Sequence, residues 1–178
     1  MHTPITKELN EKLSKVKMLL CDVDGILTDA SVFIGLEKEI KRFHIRDGLG
    51  IMMLRKEGVL VGWVSARPST ATTLRAEELK IDFLVQDKTN KVQKVEALLA
   101  ETGLKWDQIC YMGDDIVDLG VLRRAGVAAT AADAIAEAKA ASHYVTQADG
   151  GHGAVREVVD LILKAQNRWE RLVAEHSA

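Results

Sequence analysis

Aromatic residues are scarce: three Phe, three Trp and two Tyr in 178 residues. A core must therefore come from Leu, Val, Ile, Ala and Met. Hydrophobic residues make up 47% of the chain, enough for one globular domain of this length. Cysteine is nearly absent as well. Cys21 and Cys110 lie far apart, each inside an apolar run, which fits small packed hydrophobes better than a bridge or a metal pair. Neither sign of charge is in excess, since the formal net charge is -2. That balance removes the electrostatic case for nucleic acid or an anionic membrane as partner. No apolar run reaches the roughly 18 residues of a spanning helix, and the opening MHTPITKELNEKL is charged and amphipathic rather than signal-like. A soluble cytoplasmic protein is expected. Linker-like stretches, low-complexity tracts and internal repeats are also missing, so residues 1–178 are expected to form a single domain.

What is present is an alternation. Short continuous apolar runs at 17–23, 59–64, 82–85 and 108–112 read as strands covered on both faces. Helical patterns at 49–58, 69–80 and 90–103 separate them, with Gly58 and Gly103 where helix-ending glycines belong. A helix at 116–126, a short strand at 127–130, a helix at 133–141, a strand HYVT and a closing helix from about Ala154 to Glu175 complete the pattern. Near the start, Thr3 and Pro4 read as cap and first turn of a helix with Ile5, Leu9, Leu13 and Val16 along one stripe. The alternation predicts an α/β fold, a three-layer Rossmann-like parallel sheet. One segment interrupts it: ASVFIG (30–35) and EIKRFHI (39–45) predict an inserted β-hairpin at about 30–45, too small to be a cap domain.

The carboxyl ends of parallel strands are where ligands bind. LLCDVDGILTD ends the first strand with three aspartates, which admits a metal site, a covalent nucleophile or a polar turn. The other strand ends add Ser65 and Arg67, then Gly113, Asp114, Asp115 and Asp118, with Lys91 at the start of the helix after strand three. Several carboxylates in one crevice require a cation, because an uncompensated buried charge costs several kcal/mol. Oxygen ligands of this kind favour Mg²⁺. A cation and a lysine together allow an aspartate to attack a phosphate dianion that would otherwise repel it. A second aspartate two residues along can serve as proton donor and acceptor. Ser65 would hold a phosphoryl oxygen.

DVDGILTD, VSAR, TNK and GDDIVD stand in the order and at about the spacing of the four motifs of the haloacid dehalogenase superfamily, and the chain resembles that superfamily over nearly its whole length. The resemblance implies that Asp22 is the phosphoryl-accepting nucleophile and Asp24 the general acid/base. It implies Asp22, the Asp24 carbonyl and Asp114 as metal ligands, and Ser65 with Lys91 as the phosphate-binding pair. Asp115 and Asp118 divide, by this reading, between backing the metal site and capping the helix near Ile116. A narrower resemblance, carried by SVFIG, EIKRFHIRDGLGI, SAR followed by Arg75, and GGHGAVRE, is to capless 3-deoxy-D-manno-octulosonate (KDO) 8-phosphate phosphatases. It implies Mg²⁺-dependent hydrolysis of a sugar-acid phosphate and a homotetramer assembled through the hairpin. It also implies a substrate pocket lined by His44, Ile45, Arg46, Asp47, Gly48, Arg67, Arg75 and Lys91. Two guanidinium forks suit a ligand carrying both a carboxylate and a phosphate.

Met52 departs from the pattern, standing where relatives often carry a basic residue, and His44 stands where some carry Asn. A sister group acting on a nine-carbon acid phosphate has Glu at the position of Arg67 and Lys at that of Glu78, so Arg67 favours the eight-carbon substrate. The nine-carbon substrate, a receiver-like phospho-accepting domain and a catalytically idle scaffold remain as alternatives. Residue by residue, blander readings stand beside these. Asp29 reads as a turn residue, and Thr28 either orients Asp24 or caps. Trp63 reads as packing, and Arg123 and Arg124 complement a helix dipole. His152 lies in a turn that either reaches a neighbouring subunit or is simply solvated. Val32, Phe33 and Ile34 on a lone ribbon would leave apolar surface exposed, which favours assembly.

Overall fold

The structure, a computed structural model, describes residues 5–33 and 39–177. Its framework is a sheet of six parallel strands in the order β3-β2-β1-β4-β5-β6: β1 (Met18–Cys21), β2 (Leu60–Ser65), β3 (Phe83–Gln86), β4 (Ile109–Met112), β5 (Val127–Thr130) and β6 (Tyr144–Val145). Neighbours pair in register, with Leu20 opposite Gly62 on one side and Tyr111 on the other.

Each strand divides its side chains between two cores. Leu19, Cys21, Val61, Trp63, Cys110 and Met112 face a layer that includes α1 (Lys7–Ser14), α2 (Ile45–Lys56), α7 (Ala154–Ala165) and α8 (Trp169–Ser177). Met18, Leu20, Val64, Ile109 and Tyr111 face the opposite layer of α4 (Lys91–Thr102), α5 (Leu119–Leu122) and α6 (Ala136–Ala141). The period-two alternation is hidden in the sequence because both faces are apolar. α3 (Thr70–Glu78) adds Ala76 to the first layer. Cys21 and Cys110 are buried free thiols. Trp63 is fully buried and stacks on Phe43 at 6.0 Å.

Several boundaries differ from the sequence-based expectation. The first helix is capped by Thr6, whose Oγ1 accepts from the Leu9 amide at 3.1 Å. The expected cap at Thr3 and Pro4 lies outside the described residues. α2 begins at Ile45, four residues before the expected start at 49. Gly48 lies before the expected start but serves close packing: a Cβ there would sit 2.4 Å from Arg75 Nη2. The expected closing helix is two helices. Asn167 adopts φ 56, and the amides of Asn167 and Arg168 return to Lys164 and Leu163 carbonyls, a helix-terminating pattern.

The expected hairpin is not formed by what is described of it. Residues 30–33 and 39–44 carry no strand, and the turn at 36–38 lies outside the described residues. A two-stranded ribbon has little stability of its own. Residues 39–42 instead direct charged side chains onto the rim of the sheet.

Candidate active site

The sheet order reverses between β1 and β4, which opens a crevice at their carboxyl ends. Asp22 follows β1 directly, its amide bound to the Met112 carbonyl at 2.8 Å. Gly25 then turns the chain with φ 91, and a Cβ there would lie 2.0 Å from Asp114 Oδ2. Only glycine lets this loop close onto the aspartate after β4. Gly150 and Gly151 support the loop from behind. The Gly151 amide binds the Ile26 carbonyl at 2.9 Å, and a Cβ on Gly150 would lie 1.9 Å from the Gly25 oxygen.

Lys91, the first residue of α4, is buried with its ammonium 2.7 Å from both Asp22 Oδ2 and Asp118 Oδ1. Asp118 is fully buried and also accepts the Tyr111 hydroxyl. Its second oxygen faces the Asp114 and Asp115 amides at 3.3 and 3.4 Å. Ligand atoms of Asp22, Asp114 and Asp118 all lie within 4.8 Å of one another. Because Asp118 already satisfies four donors, it braces the cluster from inside, and Asp22 and Asp114 are the carboxylates with capacity left for a cation. Asp115 takes the capping role, accepting from the Ile116 amide at 2.6 Å.

The electrostatics express that spare capacity. Burial, then the nearby Asp118 charge, push the Asp22 carboxyl up to about 7 against the opposing pull of Lys91. Burial, then Asp22 and Asp118, push Asp114 up to about 7 as well. Among the described residues, the buried Asp114 Oδ1 finds no hydrogen-bond partner. Two strained carboxylates and an orphaned oxygen are what a hard divalent cation would relieve.

The crevice forms a cavity of about 280 Å³ lined by Asp22, Asp24, Ser65, Arg67, Lys91 and Asp114, with Ala30, Ala66, Asp115 and Val117. Ser65 is buried, and its Oγ accepts from the Arg67 amide at 3.0 Å. Thr28 Oγ1 lies 3.5 Å from Asp24 Oδ1. A larger groove of about 530 Å³ lies at the opposite end of the sheet, but among the described residues no carboxylate lines it.

The eight residues expected to line the substrate pocket divide within one chain. Arg67 and Lys91 face the cavity. His44, Asp47, Gly48 and Arg75 line a separate crevice with Leu27, Phe43, Ile51, Trp63 and Leu79, while Ile45 and Arg46 are exposed. Asp47 is buried and accepts the Arg156 amide at 2.7 Å, which ties α2 to the start of α7. Arg75 pairs with Glu78 at 2.7 Å. Three contacts were not legible in the motifs: Lys41 on Asp24 at 2.6 Å, Glu39 on Arg67 at 2.6 Å, and the Tyr111 hydroxyl on Asp118. Their only sequence signal was charge within an expected strand and a lone Tyr in another.

The family model described as haloacid dehalogenase-like hydrolase matches residues 65–158. The 3-deoxy-D-manno-octulosonate 8-phosphate phosphatase KdsC of Yersinia pestis is 36% identical over 168 residues, which span 94% of this chain and 90% of that protein. The Escherichia coli K12 protein of the same name is 33% identical over the same length. The crystal structure of the Moraxella catarrhalis 3-deoxy-D-manno-octulosonate 8-phosphate phosphatase, in complex with magnesium ion, phosphate ion and KDO, superposes with a TM-score of 0.94 at 35% identity. That match covers 96% of this chain and 99% of the other.

Proposed function

The chain belongs to the haloacid dehalogenase-like hydrolase family, and from that membership we propose that it is a Mg²⁺-dependent phosphatase of 3-deoxy-D-manno-octulosonate 8-phosphate. The observation that carries the reading is the Lys91 ammonium held between two buried carboxylates, beside a third with an oxygen that lacks a partner among the described residues. That arrangement suits a dianionic ester entering among acids.

Asp22 attacks phosphorus: a new P–O bond forms to its carboxylate as the ester P–O bond breaks. Asp24 gives its proton to the departing sugar oxygen. In the second half Asp24 takes a proton from water as that water attacks the aspartyl-phosphate, which restores Asp22 and releases inorganic phosphate. Lys91 cancels charge on nucleophile and phosphoryl group, and Ser65 donates to a phosphoryl oxygen. Asp22, Asp114 and the Asp24 carbonyl would hold Mg²⁺, which supplies charge neutralisation at the phosphate. Arg67 would receive the acid group of the sugar.

The same reading makes the chain one domain that assembles as a cytoplasmic homotetramer through residues 30–45. Its support is the exposure of Val32, Phe33 and Ile40, each more than half accessible. His44, Ile45, Arg46, Asp47, Gly48 and Arg75 would then contribute to substrate binding in the assembly. Among the described residues no helix is long and apolar enough to cross a membrane. The test is a phosphate-release assay on eight- and nine-carbon acid phosphates, with Mg²⁺ and with chelator. Metal-dependent turnover with higher kcat/KM on the eight-carbon acid is expected. A preference for the nine-carbon acid overturns the substrate, and no turnover on either overturns the reading.

A further inference from the structure

Lys41 stands out among the groups that the phosphatase reading leaves unused. It lies on a partly exposed segment, yet its side chain is 2% exposed, with the ammonium 2.6 Å from Asp24 Oδ1. Among the described residues Asp24 is its one hydrogen-bond partner. Thr28 Oγ1 lies near the same oxygen, at 3.5 Å. Among the described residues Asp24 Oδ2 has no such partner, and Asp24 lines the crevice. The segment around Lys41 is anchored on both sides: Glu39 pairs with Arg67 and accepts from Ser69 Oγ, and Arg42 pairs with Asp29 at 2.6 Å.

We infer that Lys41 is a positioning residue that decides which oxygen of Asp24 carries the catalytic proton, an inference resting on the acid/base reading of Asp24. An ammonium has donors only. The carboxyl oxygen it holds must therefore act as acceptor, so the single proton of the acid form sits on the other oxygen, Oδ2. That oxygen delivers the proton to the ester oxygen as the P–O bond breaks and its electron pair passes to the leaving group. Without the ammonium, the proton divides between two oxygens and the carboxyl is free to rotate. Delivery to the leaving group then suffers before the attack on phosphorus does.

Leaving-group dependence tests this. A sugar 8-phosphate departs as a primary alkoxide and needs the proton, whereas p-nitrophenyl phosphate departs as a stable phenolate and does not. In Lys41→Met, kcat/KM for 3-deoxy-D-manno-octulosonate 8-phosphate is expected to fall about 10- to 100-fold further than for p-nitrophenyl phosphate, a part of the ~10²–10⁴ that general acid catalysis supplies. The rise in Tm on adding Mg²⁺ is expected to stay as in the wild type. An equal fall on both esters, or none on either, overturns the inference. A lost Mg²⁺ response overturns it too, by making Lys41 a support of the cation site. If the Met variant does not fold, Lys41→Gln is read by the same ratio, with at least a roughly threefold differential fall expected and an unchanged ratio contradicting. Wild-type protein inactive on both esters would fail the underlying phosphatase reading, a result distinct from any of these.

Discussion

Lys91 illustrates how charge is arranged at the level of single residues. Its ammonium is buried with two carboxylates at 2.7 Å, and both lose their counter-charge if it is removed. Lys91→Met is expected to cost about 3–5 kcal/mol, as removal of one partner from a buried ion pair does. Adding Asp118→Asn should recover part of that loss, which denaturant unfolding of the single and double variants would measure. Asp114 works the other way. Burial and neighbouring charges raise its carboxyl from 3.8 to about 7, so between those values the folded state holds a proton that the unfolded chain releases. Its contribution to metal-free stability therefore falls as the pH rises through that window. In chelator at pH 8, Asp114→Asn is expected to be more stable than the wild type by about 1–3 kcal/mol. It should also lose most of the Mg²⁺-induced rise in Tm. An unchanged Mg²⁺ response in scanning calorimetry would remove Asp114 from the cation site.

At the scale of elements, the site is a loop after β1 clamped between the loop after β4 and the turn before α7. Gly150→Ala places a Cβ about 1.9 Å from the Gly25 oxygen and must push the acidic loop outward. It is expected to lower Mg²⁺ affinity by at least about tenfold, roughly 1.4 kcal/mol. Gly58→Ala, at φ 80 in open space, should cost only about 1 kcal/mol and leave Mg²⁺ binding alone. Calorimetric titration of both variants separates the two. The strands and the acidic motifs were legible because each is local: an apolar run of strand length, then carboxylates and glycine. What was not legible depends on contacts distant in sequence. α2 starts before residue 49 with Gly48 in its first turn, packed against Arg75, a contact no local window contains. Asn167 stops a helix whose apolar pattern continues beyond it. Lys41 is ordinary in its own segment and acquires meaning only by meeting Asp24, 17 residues earlier.

For the whole molecule, the reversal of strand order at β1 and β4 places the acids, and residues 30–33 and 39–44 fail to complete a ribbon alone. If those segments are closed by other copies, Phe33→Asp is expected to yield a smaller species in light scattering. An unchanged mass would exclude the segment from assembly. Elsewhere, Asp82 ties the start of β3 to α2. Burial pushes its carboxyl up, but the Arg55 guanidinium and the Val61 amide outweigh this and hold it below the ordinary 3.8. A lowered carboxyl contributes stability above its unfolded value and loses it as the pH falls through the folded one. Arg55→Gln should therefore be destabilised at neutral pH, with a deficit that shrinks as acid is added below 3.8. The most direct measurement concerns Asp22 itself: acid quench of the enzyme turning over ³²P-labelled sugar phosphate, followed by tryptic mapping. Label is expected as an acid-stable, base-labile acyl phosphate on peptide 18–38, at Asp22, and absent from Asp22→Asn. Label at another residue, or phosphate release that persists in Asp22→Asn, would contradict a carboxylate attacking phosphorus.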